Sequence, residues 1–256
     1  MNLAILQART GSTRLPGKVL MTVVGKPLLY YECERVLQAN KIDKLIIATS
    51  TDPLDDAIEA FAKANQIDCY RGSPDDVLSR YYHCAQNFKA LNAVDDLNII
   101  RITGDCPIID PAVIDEVIGF FEQNDCDYAS NTLVPTYPDG MDTEIFTFEA
   151  LNQAYHAATY KSDREHVTLW IKNHSECKRL NYSAKTDFSH LRMTVDEDHD
   201  FQLIQSILEA LYRDKPAFTY LDAIAWMTKY PQSFFINSSI QRDEGLAKSL
   251  KEEGRI

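Results

Sequence analysis

The chain has 256 residues, 45% of them hydrophobic and 25% charged, a composition that allows a substantial buried core in one sizeable domain or two small ones. Its formal net charge of -12 at pH 7 excludes a broadly basic surface of the kind that binds nucleic acid or anionic membranes. Six scattered cysteines without a CxxC pair indicate neither a zinc site nor a dense disulfide framework.

Four strand-helix units occupy residues 1–125. Each begins with a short apolar run typical of a buried strand and continues with apolar residues at helical spacing. The predicted strands are 3–6, 44–49, 67–70 and 97–103, and the helices that follow them are 27–37, 54–64, 75–90 and 111–123. This alternation predicts an α/β protein with a mostly parallel, twisted sheet covered by helices on both faces.

Beyond Cys126 the alternation loosens, which predicts an irregular α+β second half. The predicted strands there are 144–148, 177–182 and 192–195, the predicted helices are 151–158, 164–173, 200–212 and 219–229, and a polar tail follows. Because no internal repeat or linker separates the halves, we predict a single domain over residues 1–256, with a regular half at 1–125 and an irregular half at 126–256.

The loop after the first strand concentrates positive charge in an acidic protein. Its cations are Arg9, Arg14 and Lys18, and three hydroxyl side chains and two glycines lie among them. Glycines let backbone N–H groups turn toward an anion, which the cations neutralise, so the loop suits a triphosphate. It is not a Walker A loop, because Gly11 and Lys18 are one position too far apart. The alternative is an ordinary solvated loop, which we rank lower because the cations cluster here.

The stretch ARTGSTRLPGK resembles the signature loop of the cytidylyltransferases that make CMP-activated sugar acids. These are the 3-deoxy-manno-octulosonate and acylneuraminate cytidylyltransferases, and the resemblance is greatest to the spore-coat polysaccharide biosynthesis protein F branch. The likeness continues through ATSTDPLDD, RGSPDDVLSRYY, RITGDCPIIDP, PDGMDTE, REHVT and LRMTVDEDHDF, and so covers nearly the whole chain.

The resemblance implies a Rossmann-like fold of the nucleotide-diphospho-sugar transferase type and a reaction that couples CTP to a sugar acid with release of pyrophosphate. It also implies that Arg14, Lys18 and Asp105 are catalytic, with both cations on the triphosphate. Asp105 would bind Mg²⁺, for which one or two carboxylates plus phosphate oxygens suffice. The alternative for Asp105 is a turn-forming role after Gly104.

Asp196 is the second metal ligand that the resemblance implies. The family's VD-T-P-E-D segment reads VDEDHD in this chain, so Asp198 and Asp200 stay open as candidates for the same role. A helix cap before the following helix is an equally weighted alternative for Asp196.

The same resemblance divides the two halves into a nucleotide-binding half and a half for acceptor binding and dimerisation. The expected nucleotide-binding residues are Ala8, Arg9, Thr10, Gly11, Ser12, Arg14, Lys18, Arg71 and Arg80. The expected acceptor-binding residues are Asp142, Glu144, Arg164, His166 and Arg192. For Arg71 and Arg80 the alternative is a surface salt bridge, and for His166 it is a structural partner within the protein. For Arg192 the sequence does not choose between an acceptor carboxylate and Asp196 as the partner.

Two other functions compete with nucleotidyl transfer. A glycosyltransferase of related fold would bind its sugar nucleotide through a DxD motif, which residues 196–198 formally supply. We rank it lower because a diphosphate sugar donor does not need the cationic first loop. A non-catalytic nucleotide-binding or scaffold protein is disfavoured because Arg14, Lys18 and Asp105 are all present.

The expected partners are CTP and a small sugar-like acceptor, with no nucleic acid and no membrane. No stretch approaches the roughly 20 apolar residues that span a bilayer, and the amino-terminal apolar run is too short for a signal-peptide core, so we expect a cytoplasmic protein. We also expect a homodimer formed through the second half, where Tyr230, Phe234 and Phe235 cluster.

Overall fold

The structure, a computed structural model, describes residues 1–256 and is organised around a seven-stranded sheet. The strands are β1 (Asn2–Gln7), β2 (Thr22–Val23), β3 (Lys26–Pro27), β4 (Lys44–Ser50), β5 (Asp68–Gly72), β6 (Asn98–Thr103), β7 (Tyr128–Ser130), β8 (Glu144–Thr147) and β9 (Arg179–Asn181). The α-helices are α1 (Leu28–Val36), α2 (Asp56–Ala64), α3 (Val77–Asn92), α4 (Pro111–Glu122), α5 (Phe148–Ala157), α6 (Lys161–Glu165), α7 (Leu169–Asn173), α8 (Asp198–Leu211), α9 (Tyr220–Lys229) and α10 (Glu244–Glu252).

The strand order in the sheet is β5-β4-β1-β6-β8-β7-β9, and β2 and β3 form a separate small hairpin. Strands β5, β4, β1 and β6 are parallel, whereas β8 runs antiparallel to β6 and β7. The predicted mostly parallel sheet is therefore confirmed. After β1 the chain adds β4 and β5 on one side and then returns to place β6 on the other, so the strand order reverses between β1 and β6. Ligands of open α/β sheets bind at such a point, at the carboxyl ends of the strands.

Strand β1 is buried on both faces, which explains its continuous apolar sequence. Ala4 and Leu6 face a core that α1, α2 and α4 cover, and Leu3 and Ile5 face a second core under α3 and α5. A third core joins α8 and α9 to α1. This arrangement holds β1 and β6 rigidly at the centre of the molecule, so the loops that follow them start from fixed positions.

Capping residues start the helices nearest the switch point. Asp76 accepts a hydrogen bond from Ser79 N at 2.9 Å at the start of α3, and Asp110 accepts one from Ala112 N at 3.0 Å at the start of α4. Pro111 occupies the first turn of α4, as predicted, because its missing N–H group is not needed there. Each cap satisfies a helix N–H group that has no partner within the helix.

The predicted strand over 192–195 is wrong. Its apolar side chains alternate and pack into the third core, but its backbone bonds to two loops instead of to a strand. Met193 N donates to Asp139 O at 2.6 Å, and Val195 N donates to Asp105 O at 2.8 Å. The close approach of this segment to the loop that contains Asp139 requires glycine at position 140. Gly140 has φ +104°, and a Cβ there would lie 2.6 Å from the Met193 carbonyl. The segment thus crosses the carboxyl edge of the sheet and brings Asp196, which follows it, to the loop after β6.

Two helix predictions also differ from the structure. The helix expected over 164–173 is split into α6 and α7, because Val167 adopts φ +57° between them. The polar tail contains α10, a helix that was not predicted from the sequence and that buries none of its residues. No helix is both long enough and apolar enough to cross a lipid bilayer, and all six cysteines are free.

Candidate active site

The loop after β1 is fixed from beneath by one buried carboxylate. Asp55 is 2% exposed, and its Oδ1 accepts hydrogen bonds from Thr10 N at 2.7 Å and from Thr10 Oγ1 at 2.8 Å. The amide of Gly17, at φ +71°, donates to Thr10 O at 2.9 Å and closes the loop. The helical turn that follows then starts at Lys18. Thr10 therefore anchors the loop, while other loop residues face the adjoining cavity.

Lys18 lies between the two carboxylates predicted to bind metal. Its Nζ donates to Asp196 Oδ1 at 2.9 Å, to Asp105 Oδ2 at 3.3 Å and to Val195 O at 2.6 Å. Burial lowers the pKa of Lys18, but the charges of Asp105 and Asp196 outweigh burial and raise it overall. The ammonium group therefore stays protonated across the physiological pH range.

Arg14 reaches the same carboxylate from the surface, with Nη2 at 3.0 Å from Asp196 Oδ1. Its Nη1 lies 3.4 Å from Glu197 Oε1 and 3.3 Å from Glu244 Oε2. The structure thus brings Arg14, Lys18, Asp105 and Asp196 together in one cleft, although they are up to 182 positions apart in the chain. Burial alone would raise the pKa of Asp196, but its cationic neighbours lower it to about 2.

Asp105 is positioned by the glycine before it. A Cβ at Gly104 would lie 2.7 Å from Gln7 O, so only glycine lets the ends of β1 and β6 approach this closely. The Asp105 carbonyl also accepts a hydrogen bond from Thr194 Oγ1 at 3.0 Å, which ties its loop to the 192–195 segment. Its Oδ1 has only the Cys106 thiol as a neighbour, at 3.5 Å. This oxygen is available to a ligand.

Asp200 and Asp198 differ from Asp196 in their surroundings. Asp200 is fully buried and accepts hydrogen bonds on both oxygens, from Arg192 and Asn237 and from the backbone N–H groups of Asp196 and Glu197. It caps α8, so the capping role considered for Asp196 belongs to Asp200 and Glu197. Asp198 is exposed and lines neither of the cavities described below.

No group of three or more His, Cys, Asp or Glu side chains is arranged to hold a metal ion. Asp105 and Asp196 nevertheless fit Mg²⁺, because both present partly exposed carboxylate oxygens to a cleft whose cations suit phosphate. Two carboxylates and phosphate oxygens are a common magnesium ligand set. The pair is thus a candidate half-site that a bound polyphosphate would complete.

Two cavities open at this edge of the sheet and share Asp105 and Arg101 among their walls. The larger cavity, about 540 Å³, is lined by seven Lys or Arg side chains and five carboxylates. The smaller cavity, about 230 Å³, is lined by three arginines and seven carboxylates. The larger cavity therefore suits a polyanion, and the smaller one suits a polar molecule rich in hydrogen-bonding groups.

The predicted nucleotide-binding residues are only partly brought together. Ala8, Arg9, Ser12 and Arg80 line the larger cavity with Arg14 and Lys18, whereas Thr10 and Gly11 do not. Arg80 is 2% exposed, and its Nε has no hydrogen-bond partner.

Arg71 lies outside both cavities. It pairs with Asp56 at 2.6 Å and with Glu59 at 2.9 Å, which is the surface salt bridge considered for it from the sequence.

The predicted acceptor-binding residues are also divided. Asp142, Glu144, His166 and Arg192 line the smaller cavity, but Arg164 pairs with Asp76 at 2.7 Å and lines neither. The sequence left the partner of Arg192 open. In the structure Arg192 bonds to Asp139 at 2.6 Å, Asp196 at 2.8 Å and Asp200 at 2.9 Å.

His166 is the one imidazole that lines both cavities, and its Nε2 lies 3.1 Å from Ser249 Oγ. Burial lowers the pKa of His166, so the ring is neutral at pH 7. A neutral imidazole can accept a proton from a hydroxyl group.

Sequence reasoning missed Arg101 and the contribution of α10. Arg101 interrupts the apolar strand NIIRIT two residues before the site loop, and a charge inside a buried strand was a usable signal. The C-terminal residues Glu244, Lys248 and Ser249 line the larger cavity, but nothing in the sequence pattern indicated it.

Comparison with known proteins agrees on one family. A cytidylyltransferase family model matches residues 3–230. The spore coat polysaccharide biosynthesis protein SpsF of Bacillus subtilis is 32% identical over 90% of this chain and 95% of its own length. The 8-amino-3,8-dideoxy-manno-octulosonate cytidylyltransferase of Shewanella baltica strain OS195 is 28% identical over 91% of this chain and 78% of its own. The solved cytidylyltransferase of Leptospira borgpetersenii superposes with a TM-score of 0.85 at 30% identity, over 94% of this chain and 99% of its own.

Proposed function

The chain belongs to the cytidylyltransferase family, and we propose that it couples the CMP group of CTP to a sugar-acid acceptor with release of pyrophosphate. The observation that carries the proposal is the position of Lys18 between Asp105 and Asp196, at the rim of the cation-lined cavity. The chain is an enzyme of the nucleotidyltransferase type. The sugar acid is the kind of acceptor that the name of the Shewanella relative states.

In the proposed reaction an acceptor hydroxyl attacks the α-phosphorus in line with the departing pyrophosphate. An oxygen–phosphorus bond forms, the bond between the α-phosphorus and the bridging oxygen breaks, and the hydroxyl loses its proton. Arg14 and Lys18 neutralise the β and γ phosphates and the charge that develops as pyrophosphate leaves. His166, neutral and placed on both cavities, accepts the proton.

Asp105 and Asp196 would hold Mg²⁺, which supplies charge neutralisation at the phosphate oxygens when bound. The chain's own residues provide orientation. Arg9, Arg80 and Ser12 on the larger cavity bind the nucleotide, and Asp142 on the smaller cavity binds the acceptor. Holding two reactants in line removes much of the entropic cost of their encounter.

A glycosyltransferase that uses a DxD motif is disfavoured by the placement of residues 196–198. Asp196 lines both cavities, but Asp198 is exposed and lines neither. The two carboxylates of such a motif would both need to reach the metal. Pyrophosphate release from a nucleoside triphosphate distinguishes the two reactions directly.

We further propose that residues 1–256 act as one domain in a cytoplasmic homodimer. Tyr230 and Phe235 are 39% and 77% exposed and are available to a second subunit. Phe234 packs against the third core instead and would contribute little. Sedimentation equilibrium at micromolar concentration tests the assembly, since a monomer would contradict it.

The test of the proposed function is a panel of the four nucleoside triphosphates, each assayed with several sugar acids for pyrophosphate release. We expect release with CTP, a requirement for Mg²⁺, and loss of turnover in Asp105→Asn with unchanged thermal unfolding. An Asp198→Asn variant is the matched control, because Asp198 lies outside both cavities. Full turnover by Asp105→Asn would contradict the metal role, and release with another triphosphate alone would contradict the choice of CTP.

A further inference from the structure

Arg101 differs from the other two arginines of the smaller cavity in how its donors are used. Arg192 and Arg14 each contact three carboxylates of the chain, with Asp196 common to both. Arg101 has one hydrogen-bond partner, Glu144, to which it donates through Nη1. Its Nε is buried without any hydrogen-bond acceptor. Of the three guanidinium groups, Arg101 has the most unused donor capacity.

The unused donors of Arg101 form one edge of the guanidinium group. Nη1 lies on the side of Cδ, so a bond to Nη1 leaves the Nε–H and one Nη2–H parallel on the opposite edge. That edge matches the two oxygens of a carboxylate. A buried N–H group without a partner costs free energy, which a bound carboxylate would recover.

Glu144 holds this guanidinium in place. Its own oxygens also accept hydrogen bonds from Tyr128 Oη at 2.6 Å and Thr168 Oγ1 at 2.6 Å, and Lys172 Nζ lies 3.1 Å away. Burial would raise the pKa of Glu144, but Lys172, Arg101 and the hydroxyl donors outweigh burial and lower it. Glu144 is therefore a positioning residue with little capacity left for a ligand, and Arg101 is the group that it presents.

The location of Arg101 fits the chemistry of a 2-keto sugar acid. In the cyclic hemiketal form of such an acid, the carbon that bears the attacking hydroxyl is bonded directly to the carboxylate, so the carboxylate must bind next to the reacting phosphorus. Arg101 lines both cavities, as do Asp105 and Lys18's partner Asp196. Arg192 and Arg14 also line the smaller cavity, but their donors already contact carboxylates of the chain itself.

We propose that Arg101, held by Glu144, binds the carboxylate of the acceptor and so selects sugar acids over neutral sugars. This inference rests on the proposed function and adds a specificity residue to it. The variants are Arg101→Met, which removes the charge, Arg101→Lys, which keeps the charge but not the fork, and Glu144→Gln. Arg179→Met is the matched control, because Arg179 is exposed and outside both cavities.

The experiment compares 3-deoxy-manno-octulosonate, or the best sugar acid of the panel, with its carboxamide, in which the charge is removed. In the wild type and Arg179→Met we expect the carboxylate to be preferred about 10- to 100-fold in kcat/KM, as for a charge-assisted bidentate pair. In Arg101→Met the preference falls to about one, and in Arg101→Lys and Glu144→Gln it takes intermediate values. The KM for CTP changes little in any of them.

A preference retained by Arg101→Met overturns the inference while leaving the proposed function intact. A higher KM for CTP with the carboxylate preference unchanged assigns Arg101 to the phosphates and overturns it as well. If the wild type releases no pyrophosphate from CTP with any sugar acid, the proposed function and this inference fail together. Circular dichroism of each variant establishes that it is folded, and Arg101→Lys supplies the comparison if Arg101→Met is not.

Discussion

The two cavities share several lining residues but differ in how their charged side chains are paired. Cations outnumber carboxylates in the larger cavity, and several of these cations, such as Arg9 and Arg80, have no carboxylate partner. In the smaller cavity carboxylates are in excess, and Arg192 is already bonded to three of them. A polyphosphate needs charge that is not yet neutralised, whereas a polar acceptor needs groups held in fixed directions. Substitutions of the cations in the larger cavity should therefore act on activity, and substitutions that break the ion pairs of Arg192 should act on stability.

The largest expected effect is on stability, in Asp200→Ala. This variant leaves Arg192, which is 8% exposed, without its most buried partner and removes one half of the capping box of α8. We expect the free energy of unfolding in urea to fall by about 3–5 kcal/mol, as for one half of a buried ion pair. Asp198→Ala, two positions away on the exposed side, should change it by less than about 1 kcal/mol. Equal losses in the two variants would contradict the rigid role of the smaller cavity.

Lys18→Met should have the opposite effect to Asp200→Ala, with a large loss of activity and little change in stability. In the proposed reaction the ammonium group neutralises the leaving pyrophosphate, so its removal should lower kcat/KM for CTP about 10²- to 10³-fold. Thermal unfolding should change little, because Asp196 keeps Arg14 and Arg192 as partners. Lys44→Met, which breaks the exposed pair with Asp68, is the control for loss of a lysine. A Lys18→Met variant that is strongly destabilised but keeps its activity per folded molecule would contradict this prediction.

A smaller effect is expected from Glu244→Gln at the start of α10. Glu244 contacts Arg14 at 3.3 Å and so competes with the polyphosphate for this cation. Exposed pairs of this kind contribute about 0–1 kcal/mol, so KM for CTP should fall by up to about fivefold. Initial-rate kinetics measure the change, and Glu209→Gln on the outer surface of α8 should leave KM unaltered. A rise in KM would show that Glu244 helps to bind the nucleotide.

The smallest expected effect is on the pH dependence of stability. The pKa of Glu144 is lowered on folding, so the unfolded chain binds more protons than the folded protein at acid pH. The stabilisation from this carboxylate is present above its ordinary pKa of 4.5 and is lost as the pH falls below that value. The free energy of unfolding in urea, measured between pH 3 and 6, should therefore rise less steeply with pH in Glu144→Gln than in the wild type. The difference in slope should correspond to at most about one proton. An unchanged slope would mean that Glu144 is not ionised in the folded protein.

The contrast between the cavities also separates what could be predicted from what could not. Short apolar runs and capping residues are local, so the four strand-helix units and the family were predicted correctly and are confirmed. The loop 9–18 and Asp105 follow adjacent strands, and the rule for strand ends was enough to expect them near each other. The role of each residue in catalysis stays a prediction.

Long side chains were assigned less well, because their partners depend on distant segments. Arg71, Arg164 and Arg101 carry the same charge. Arg71 and Arg164 pair with carboxylates that lie outside both cavities, whereas Arg101 lines both cavities. Only the fold decides which carboxylate lies within reach of a flexible side chain about 7 Å long.

By itself the sequence determined the four parallel strands, the family and the cationic loop, since each is encoded in contiguous residues whose pattern reflects local conformation and burial. The tertiary structure alone decided that Asp200 caps a helix while Asp196 faces the cleft, that Glu144 holds Arg101, and that α10 borders the larger cavity. These outcomes depend on distances between segments far apart in the chain, and charge and hydrogen-bond energies change steeply over a few ångströms.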